Sequence, residues 1–387
     1  MDYIILLVFL FLFIISYIYI FFVKGKRKLN RRDNTPSISV IIPARDESKV
    51  IEKLLKSIVN SSIKINSNDV YVVVEDKNDK TVQIVENYGM TIVFREDLTK
   101  RRKGYALNDA FNFMKKKNKE YDMYFIFDAD NYLDKDYFKN MIETYKSGYD
   151  IGVGYRNTIN GNKSLVAAAS SLTFSMINTL NNERRVKNNL NVIISGTGFY
   201  MSKEVINKTG GYPFNSLTED YELSIYSIIN NIPSFYNNKA IFYDEQPVNF
   251  GVSIKQRTRW VKGYFDVRKK YCKEIMEPSK DNKSLKLEKI GVIPYIVLIV
   301  GIVIFLIINI INLQLLKLLL TLFILYVVLV FVTFLMLKKE KDYFKLSRKM
   351  KVLSLFYNPL FLLSYIICAL KAIFNPNLKW DAIKHEG

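Results

Sequence analysis

Histidine is almost missing: His385 is the one imidazole in 387 residues. That excludes the multi-histidine zinc sites and leaves acid, base and metal chemistry to carboxylates. Two cysteines, Cys272 and Cys368, stand in dissimilar surroundings and build no disulfide framework. No Gly-x-Gly-x-x-Gly follows the first predicted strand, which argues against the usual dinucleotide fold. No phosphate-binding Gly-x-x-x-x-Gly-Lys-Ser/Thr loop is present either. Acidic residues are few beside basic ones, 37 against 56, for a net charge of +19. Such an excess suggests nucleic acid, but 49% of the residues are apolar and they are gathered into long runs.

Residues 3–23 carry no charge and suffice to cross roughly 30 Å of hydrocarbon as a helix. Lys24, Lys26, Arg27, Lys28, Arg31 and Arg32 follow at once. A secretory leader would place its basic residues before the apolar run, so this segment reads as an uncleaved anchor with a cytoplasmic basic flank. Residues 290–316 and 318–337 predict a helical hairpin turning near Asn309, Asn312 and Gln314, with Lys338, Lys339, Lys341, Lys345, Arg348, Lys349 and Lys351 after it. The same asymmetry puts both its ends in the cytoplasm. Residues 352–370 contain Asn358-Pro359 and either span with a kink or lie at the interface; the side on which Trp380 and His385 fall depends on which. The chain therefore divides into an anchor with its flank (1–32), a cytosolic domain (33–288) and a membrane region (289–387), in an integral protein of a bacterial plasma membrane. Much of the charge is then topological, or faces anionic membrane lipids at about 1 kcal/mol per basic residue.

In the middle of the chain, residues 37–42, 70–74, 90–94 and 123–127 read as strands. Helices are predicted between them, with Ile51, Leu54, Leu55 and Ile58 at helical spacing in the first. Alternation of this kind means an α/β domain with a mostly parallel sheet covered on both faces. Ligands bind beyond the carboxyl ends of such strands. Pro43 to Glu47, Glu75-Asp76 and Asp128-Ala129-Asp130 all fall there.

Asp128 and Asp130, one residue apart at a strand end, form either a divalent-metal pair or a solvated acidic turn. Residues 193–201, with Gly196-Thr197-Gly198, read as a glycine-interrupted strand or a tight loop. Glu219-Asp220 opens an apolar helix, where the dipole favours acids whether or not they have chemistry to do. Gln256, Arg259 and Trp260 share one helical face, on a stretch (257–275) whose basic residues suit an amphipathic helix on a membrane.

Together these residues resemble the membrane-bound inverting glycosyltransferases of family 2. The markers, in order, are Ser39 to Glu47, Glu75-Asp76 with Asp79, Asp128-Ala129-Asp130, Gly196-Thr197-Gly198, Thr218-Glu219-Asp220 and Gln256-Arg257-Thr258-Arg259-Trp260. That family includes hyaluronan, chitin, cellulose and poly-N-acetylglucosamine synthases and ceramide glucosyltransferases.

The resemblance implies a cytosolic GT-A type nucleotide-sugar-binding domain flanked by transmembrane helices, with a UDP-sugar as donor. It implies Mg²⁺ or Mn²⁺ held mainly by Asp130, with Asp128 nearer the nucleotide. Ala44, Glu47 and Asp76 would line the uridine pocket, and Lys103 would lie near the nucleotide-sugar. Asp220 would be the general base with Glu219 beside it. Arg259 would neutralise the leaving diphosphate, and Trp260, on the face it shares with Gln256, would stack on the acceptor sugar. His385, with Trp380, resembles a terminal element of some relatives.

The acceptor would be a lipid-linked or polysaccharide chain, with a polysaccharide-export partner or a homo-oligomer completing any polymer path. A non-processive ceramide- or diacylglycerol-type glucosyltransferase is the alternative, and a noncatalytic membrane-anchored binding protein a remote one. Nucleic acid is disfavoured as a partner, because carboxylates at strand ends repel phosphates.

Overall fold

A computed structural model of the chain describes residues 2–278 and 281–375; Trp380 and His385 lie outside the described residues. Eight strands form one sheet: β1 (Ile38–Pro43), β2 (Val70–Val74), β3 (Thr91–Phe94), β4 (Met123–Ile126), β5 (Tyr132–Leu133), β6 (Ile151–Thr158), β7 (Phe199–Ser202) and β8 (Ser234–Asp244). Their spatial order is β3-β2-β1-β4-β7-β6-β8-β5. The half read from the alternating pattern is parallel, β3 to β2 to β1 to β4.

The expectation of a mostly parallel sheet needs correcting, because β7 runs antiparallel to both β4 and β6, and β5 runs antiparallel to β8. The sheet is mixed. Parallel neighbours need a long crossover between strands, and that rhythm stops after Asp128. Beyond it β5 is two residues long and β7 inserts between β4 and β6 from the opposite direction.

Alternate residues of the central strands feed two cores. Val40, Ile42, Val72 and Phe125 pack on one face, and Ile41, Val73, Tyr124 and Ile126 on the other. Burying each such side chain contributes about 1.5–3 kcal/mol, so a one-residue slip of β1 would exchange its two faces at once. Helix Ile51–Val59 buries the predicted Ile51, Leu54, Leu55 and Ile58.

Two described helices are long and apolar enough to cross a membrane, Leu315–Lys339 and Arg348–Phe374; Leu7–Phe21 and Ile299–Ile311 are shorter apolar helices. The segment with Asn358-Pro359 is thus one of the two long ones. Pro359 lies inside helix Arg348–Leu363, and the break before Tyr365–Phe374 comes at Ser364. The expected turn after Ile311 is present, with Leu313 at a left-handed φ of 53°. The first helix packs on helix Ile293–Ile311 so closely that a Cβ on Gly301 would lie 2.4 Å from Phe9.

Two cations assigned above to topology and lipid are used inside the molecule. Arg32 pairs with Asp150 at 2.5 Å, donates to the Tyr145 and Tyr149 carbonyls, and stacks 4.3 Å over the Tyr145 ring. Arg27 donates to the Ser234 carbonyl and to Asn191, both at 2.7 Å.

At the other end, Glu340 is 2% exposed and accepts hydrogen bonds from Tyr155 and Thr179. Tyr343 stacks on Tyr155 at 4.5 Å, and its carbonyl accepts from Asn157. The foot of the apolar hairpin is therefore bolted to β6. Replacing Glu340 by Ala leaves the buried Tyr155 hydroxyl short of an acceptor, which costs about 1–3 kcal/mol, while Thr179 keeps the Ser175 carbonyl. The expected result in detergent-solubilised full-length protein is a lower thermal midpoint and faster proteolysis at residues 341–347, with Glu340→Gln less affected.

Candidate active site

The carboxyl ends of β1, β2 and β4 open into one cavity of about 1010 Å³. Ala44, Glu47, Lys103, Asp128, Asp130, Glu219, Asp220, Gln256, Arg259 and Trp260 all line it. Among the described residues expected at the uridine, metal, base or diphosphate, Asp76 is the one not on its wall. It is exposed, and its carboxylate accepts from the Asn78 amide at 2.9 Å in a turn of its own. Glu75 takes the wall position, paired with Arg45 at 3.2 Å and approached by Arg95 at 3.7 Å. The turn after β1 is stitched to β2 by the Ala44 amide on the Val73 carbonyl, and to helix Lys80–Asn87 by the Glu47 amide on Thr81.

The Asp128–Asp130 turn is fixed by residues the sequence reading gave other work. The Asp128 amide donates to the Thr197 hydroxyl at 2.8 Å, and Thr197 donates to Asn131 at 2.5 Å. Asn131 in turn donates to Asp130 at 3.1 Å. The Gly196-Thr197-Gly198 segment thus braces the acidic turn. Gly198, at φ 63°, has the Phe242 ring 2.2 Å from where a Cβ would stand, so only glycine fits. A Cβ on Gly196 would lie 3.8 Å from an Asp220 oxygen, which sets the base candidate beside this loop.

Pairing of β5 with β8 sets Tyr132 opposite Tyr243 and brings Asp244-Glu245 to the same acidic turn. Arg156, Asp244 and Glu245 escaped the sequence reading. Asp244 accepts from Arg156 and from Gln246, and its second oxygen is buried with no hydrogen-bond partner. Arg156 also donates to the Ser195 carbonyl at 2.6 Å and lies 3.7 Å over the Phe174 ring. Loss of water, then the charges of Asp128 and Asp244, raise the Asp130 carboxyl well above the usual range, against the pull of Arg156. The strand-end rule that flagged Glu75 and Asp128 would have found Asp244. Its strand went unread because Asn237-Asn238-Lys239 interrupts the apolar pattern.

Across the cavity, Glu219 and Asp220 begin helix Glu219–Ile229. Burial, then the charge of Asp220, pushes Glu219 up to about 7. Burial also raises Asp220, opposed by the Tyr221 amide and by the cations Lys103 and Arg259. Lys103 links the two acidic groups. Its ammonium lies 2.5 Å from Asp128 and 2.7 Å from the Gly196 carbonyl, within the field of Glu219 and Asp220. Burial alone would lower its pKa, but the three carboxylates outweigh that and raise it. Its position follows from Gly104: a Cβ there would stand 1.8 Å from the Phe214 carbonyl, so the helix starts in contact with the loop leading to Glu219.

Gln256, Arg259 and Trp260 lie on helix Phe250–Lys270, which starts before the predicted 257 and is followed by a separate turn, Cys272–Met276. Trp260 packs edge-on against Phe174, with centroids 5.5 Å apart. The opposite face is not free. Arg257 is 1% exposed, donates to the Phe361 carbonyl at 3.1 Å and Ser364 at 2.7 Å, and stacks on Phe361. Arg268 and Lys270, expected at the membrane, pair with Glu288 and Glu222. A Cβ on Gly263 would come within 2.4 Å of the Thr218 hydroxyl, so this helix bears directly on the residue before Glu219. Among the described residues, no group of three or more His, Cys, Asp or Glu side chains is set to hold a metal ion.

The family described as Glycosyltransferase like family 2 matches residues 36–263, more than half of the chain. The chain belongs to that family. It is 29% identical over 238 residues to the Probable glycosyltransferase YdaM of Bacillus subtilis, covering 59% of this chain and 55% of that protein. It is 24% identical over 259 residues to the poly-beta-1,6-N-acetyl-D-glucosamine synthase of Staphylococcus epidermidis, covering 64% and 61%. The chain therefore matches less than two thirds of the length of these curated relatives. Its fold is shared with the mannosyltransferase PcManGT of Pyrobaculum calidifontis, solved with GDP-Man and Mn²⁺: the TM-score is 0.62 at 16% identity, over 97% of this chain and 99% of that one. The α/β domain is thus of the type found in nucleotide-sugar transferases.

A carboxyl raised in the folded state holds its proton more tightly there, so its stabilising contribution is lost as pH climbs from its ordinary value through the raised one. For Glu219 that window runs from 4.5 to about 7. Glu219→Gln is expected to gain on the wild type by about 1–3 kcal/mol as pH rises from 5 to 8, read as the difference in thermal unfolding across that series.

Proposed function

We propose that the chain is an inverting glycosyltransferase that moves a hexose or N-acetylhexosamine from a UDP-sugar to a lipid-linked or glycan acceptor at the cytoplasmic face of a membrane. One observation carries this reading: two acidic pairs, Asp128/Asp130 and Glu219/Asp220, face one cavity and are joined by the Lys103 ammonium. Paired acids at the ends of parallel strands are where such a sheet binds a nucleotide. A second acid across the cavity is what direct displacement requires.

The uridine would lie along the Ala44–Glu47 turn and Glu75, and the diphosphate between Lys103, Arg259 and the Asp128–Asp130 turn. Asp220 would accept the acceptor hydroxyl's proton while that oxygen attacks the anomeric carbon from the face opposite the diphosphate. Arg259 and Lys103 would neutralise the charge gathering on UDP.

The site suits a divalent ion. Asp130, Asp128, Asp244 and Glu245 crowd negative charge around one turn beyond what Lys103 on Asp128 and Arg156 on Asp244 offset, as the raised Asp130 carboxyl shows, and Asp130 and Asp128 would be the holders. Mg²⁺ takes only one or two carboxylates beside substrate phosphates and water, so a three-carboxylate cage is not required. When bound, the ion would stabilise the leaving diphosphate. The PcManGT structure, with Mn²⁺ and GDP-Man on the same fold, supports this choice of cofactor class. The names of the bacterial relatives support sugar transfer, and the two long apolar helices support work at a membrane.

The test is UDP release by full-length protein in detergent or lipid, across a panel of UDP-sugars, with and without Mg²⁺ or Mn²⁺. Asp220→Asn should retain UDP binding and lose transfer by about 10²–10⁴-fold. Asp130→Ala should lose the metal-dependent part of UDP binding, measured by calorimetry. Wild-type transfer by Asp220→Asn, or undiminished metal-dependent binding by Asp130→Ala, would overturn the respective assignment.

A further inference from the structure

The two helices long and apolar enough to cross a membrane, Leu315–Lys339 and Arg348–Phe374, meet the α/β domain in opposite ways. Along Leu315–Lys339 only Thr333 and Met336, near its foot, are buried. Along Arg348–Phe374 a whole stripe is buried. Ser354, Asn358, Phe361, Ser364, Cys368 and Ala372 recur every three or four residues, straight through the break at Ser364. We propose that Arg348–Phe374 does not cross the membrane but lies along its cytoplasmic surface, with its outward face seated in the headgroup–acyl boundary of the bilayer. This rests on the reading above that the chain works at a membrane.

Three observations support it. First, the segment stays on the domain throughout. Met350 packs with Ala168 and Leu172, and Phe361 with Val166 and Ala169, all on helix Leu165–Met176 of the domain. Leu362 and Tyr365 line the cavity, and the Cys368 thiol donates to the Ile254 carbonyl at 3.8 Å. A helix bound for the far side of a bilayer parts from such a domain within a turn or two. This one keeps to it for 27 residues.

Second, Arg257 sets the depth. If Arg348 marked the cytoplasmic end of a span, Phe361 and Ser364 would lie about 20–24 Å in, at about 1.5 Å per residue, past the middle of a hydrocarbon layer about 30 Å thick. Both hold the Arg257 guanidinium, which has no carboxylate among its described partners. A charged side chain at that depth costs about 2.5–3.5 kcal/mol or more. Gln256 and Arg259 of the same helix line the cavity and would sink with it. The level of the site is therefore the level of Ser364.

Third, the outward face fits a lipid surface. Leu353, Phe356, Leu360, Ile367, Leu370 and Phe374 form the opposite stripe, 40–81% exposed, and Lys349, Lys351 and Lys371 flank it. An apolar stripe bordered by lysines is what a helix lying in the interface presents, and each lysine near anionic headgroups contributes about 1 kcal/mol. The stripe is continuous with the exposed surface of Leu315–Lys339, because Asn358 donates to Thr333 at 3.0 Å and Tyr326 donates to the Phe356 carbonyl at 2.9 Å. One bilayer reaches both.

The test is the side on which two cysteines fall, introduced singly into full-length protein carrying Cys272→Ser, with the buried Cys368 left in place. In intact expressing cells a membrane-impermeant maleimide should label Leu313→Cys, at the tip of the hairpin. It should label Asn375→Cys at least tenfold less until the membrane is opened. Labelling of both from outside would overturn the proposal. Failure of the membrane reading looks different: Leu313→Cys is itself protected until the cells are opened. In a second arm, nitroxides on Leu360→Cys and Val328→Cys in lipid nanodiscs report depth through their relative accessibility to oxygen and a nickel chelate. Leu360→Cys should lie shallower by at least about 5 Å. Equal depth would overturn the proposal, and so would spin–spin broadening at Leu360→Cys, the sign of a second copy of the chain covering the stripe.

Discussion

Carboxylates repel one another, yet Asp128, Asp130, Glu219 and Asp220 face a single cavity, with Asp244 buried behind them. The interaction that makes this arrangement tenable is the Lys103 ammonium, hydrogen-bonded to Asp128 and lying in the field of the opposite pair. A buried cation without partners would be driven to lose its proton; here the surrounding acids hold it charged. The dependence runs both ways, because the same cation holds Asp220 below the pKa that burial would impose on it. The two acidic pairs thus share one compensating charge across the cavity.

Backbone contacts keep that side chain in place. Gly104 against Phe214, Gly198 against Phe242 and Gly263 against Thr218 are positions where the chain approaches closer than any Cβ would allow. Each joins an element carrying a site residue to another. The site is therefore rigid at its joints, although its polar residues come from loops spread between positions 44 and 260. Such preorganisation is what electrostatic stabilisation of a leaving group demands.

Much of the strand-end half of the site was legible in the sequence, because three of the four strands read from the apolar pattern run into acidic turns and the strand-end rule needs no knowledge of contacts. The other half was not. β8 carries Asn237-Asn238-Lys239 at a bulge, and β7 is four residues long, so neither shows an alternation that identifies it or its direction. Thr197 read only as part of a glycine-interrupted strand or a tight loop, although its hydroxyl locks the Asp128 amide across a separation of 69 residues. Arg27, Arg32 and Arg257 illustrate the same limit from the side of charge. Basic residues beside apolar runs look alike whether they face lipid headgroups or, as here, carbonyls, rings and a carboxylate of their own chain.

The paired attachments of the α/β domain have a geometric consequence. Arg32 fastens one end of the N-terminal linker to Asp150, just before β6, and Glu340 fastens the foot of the apolar hairpin to Tyr155 within it. A domain tethered at one point can swing. Held at two, it keeps a constant elevation and tilt relative to its helices. The cavity, whose wall takes in Tyr17 and Val292, then opens at one fixed level along those helices, and the reach of a ligand counts beside its chemistry.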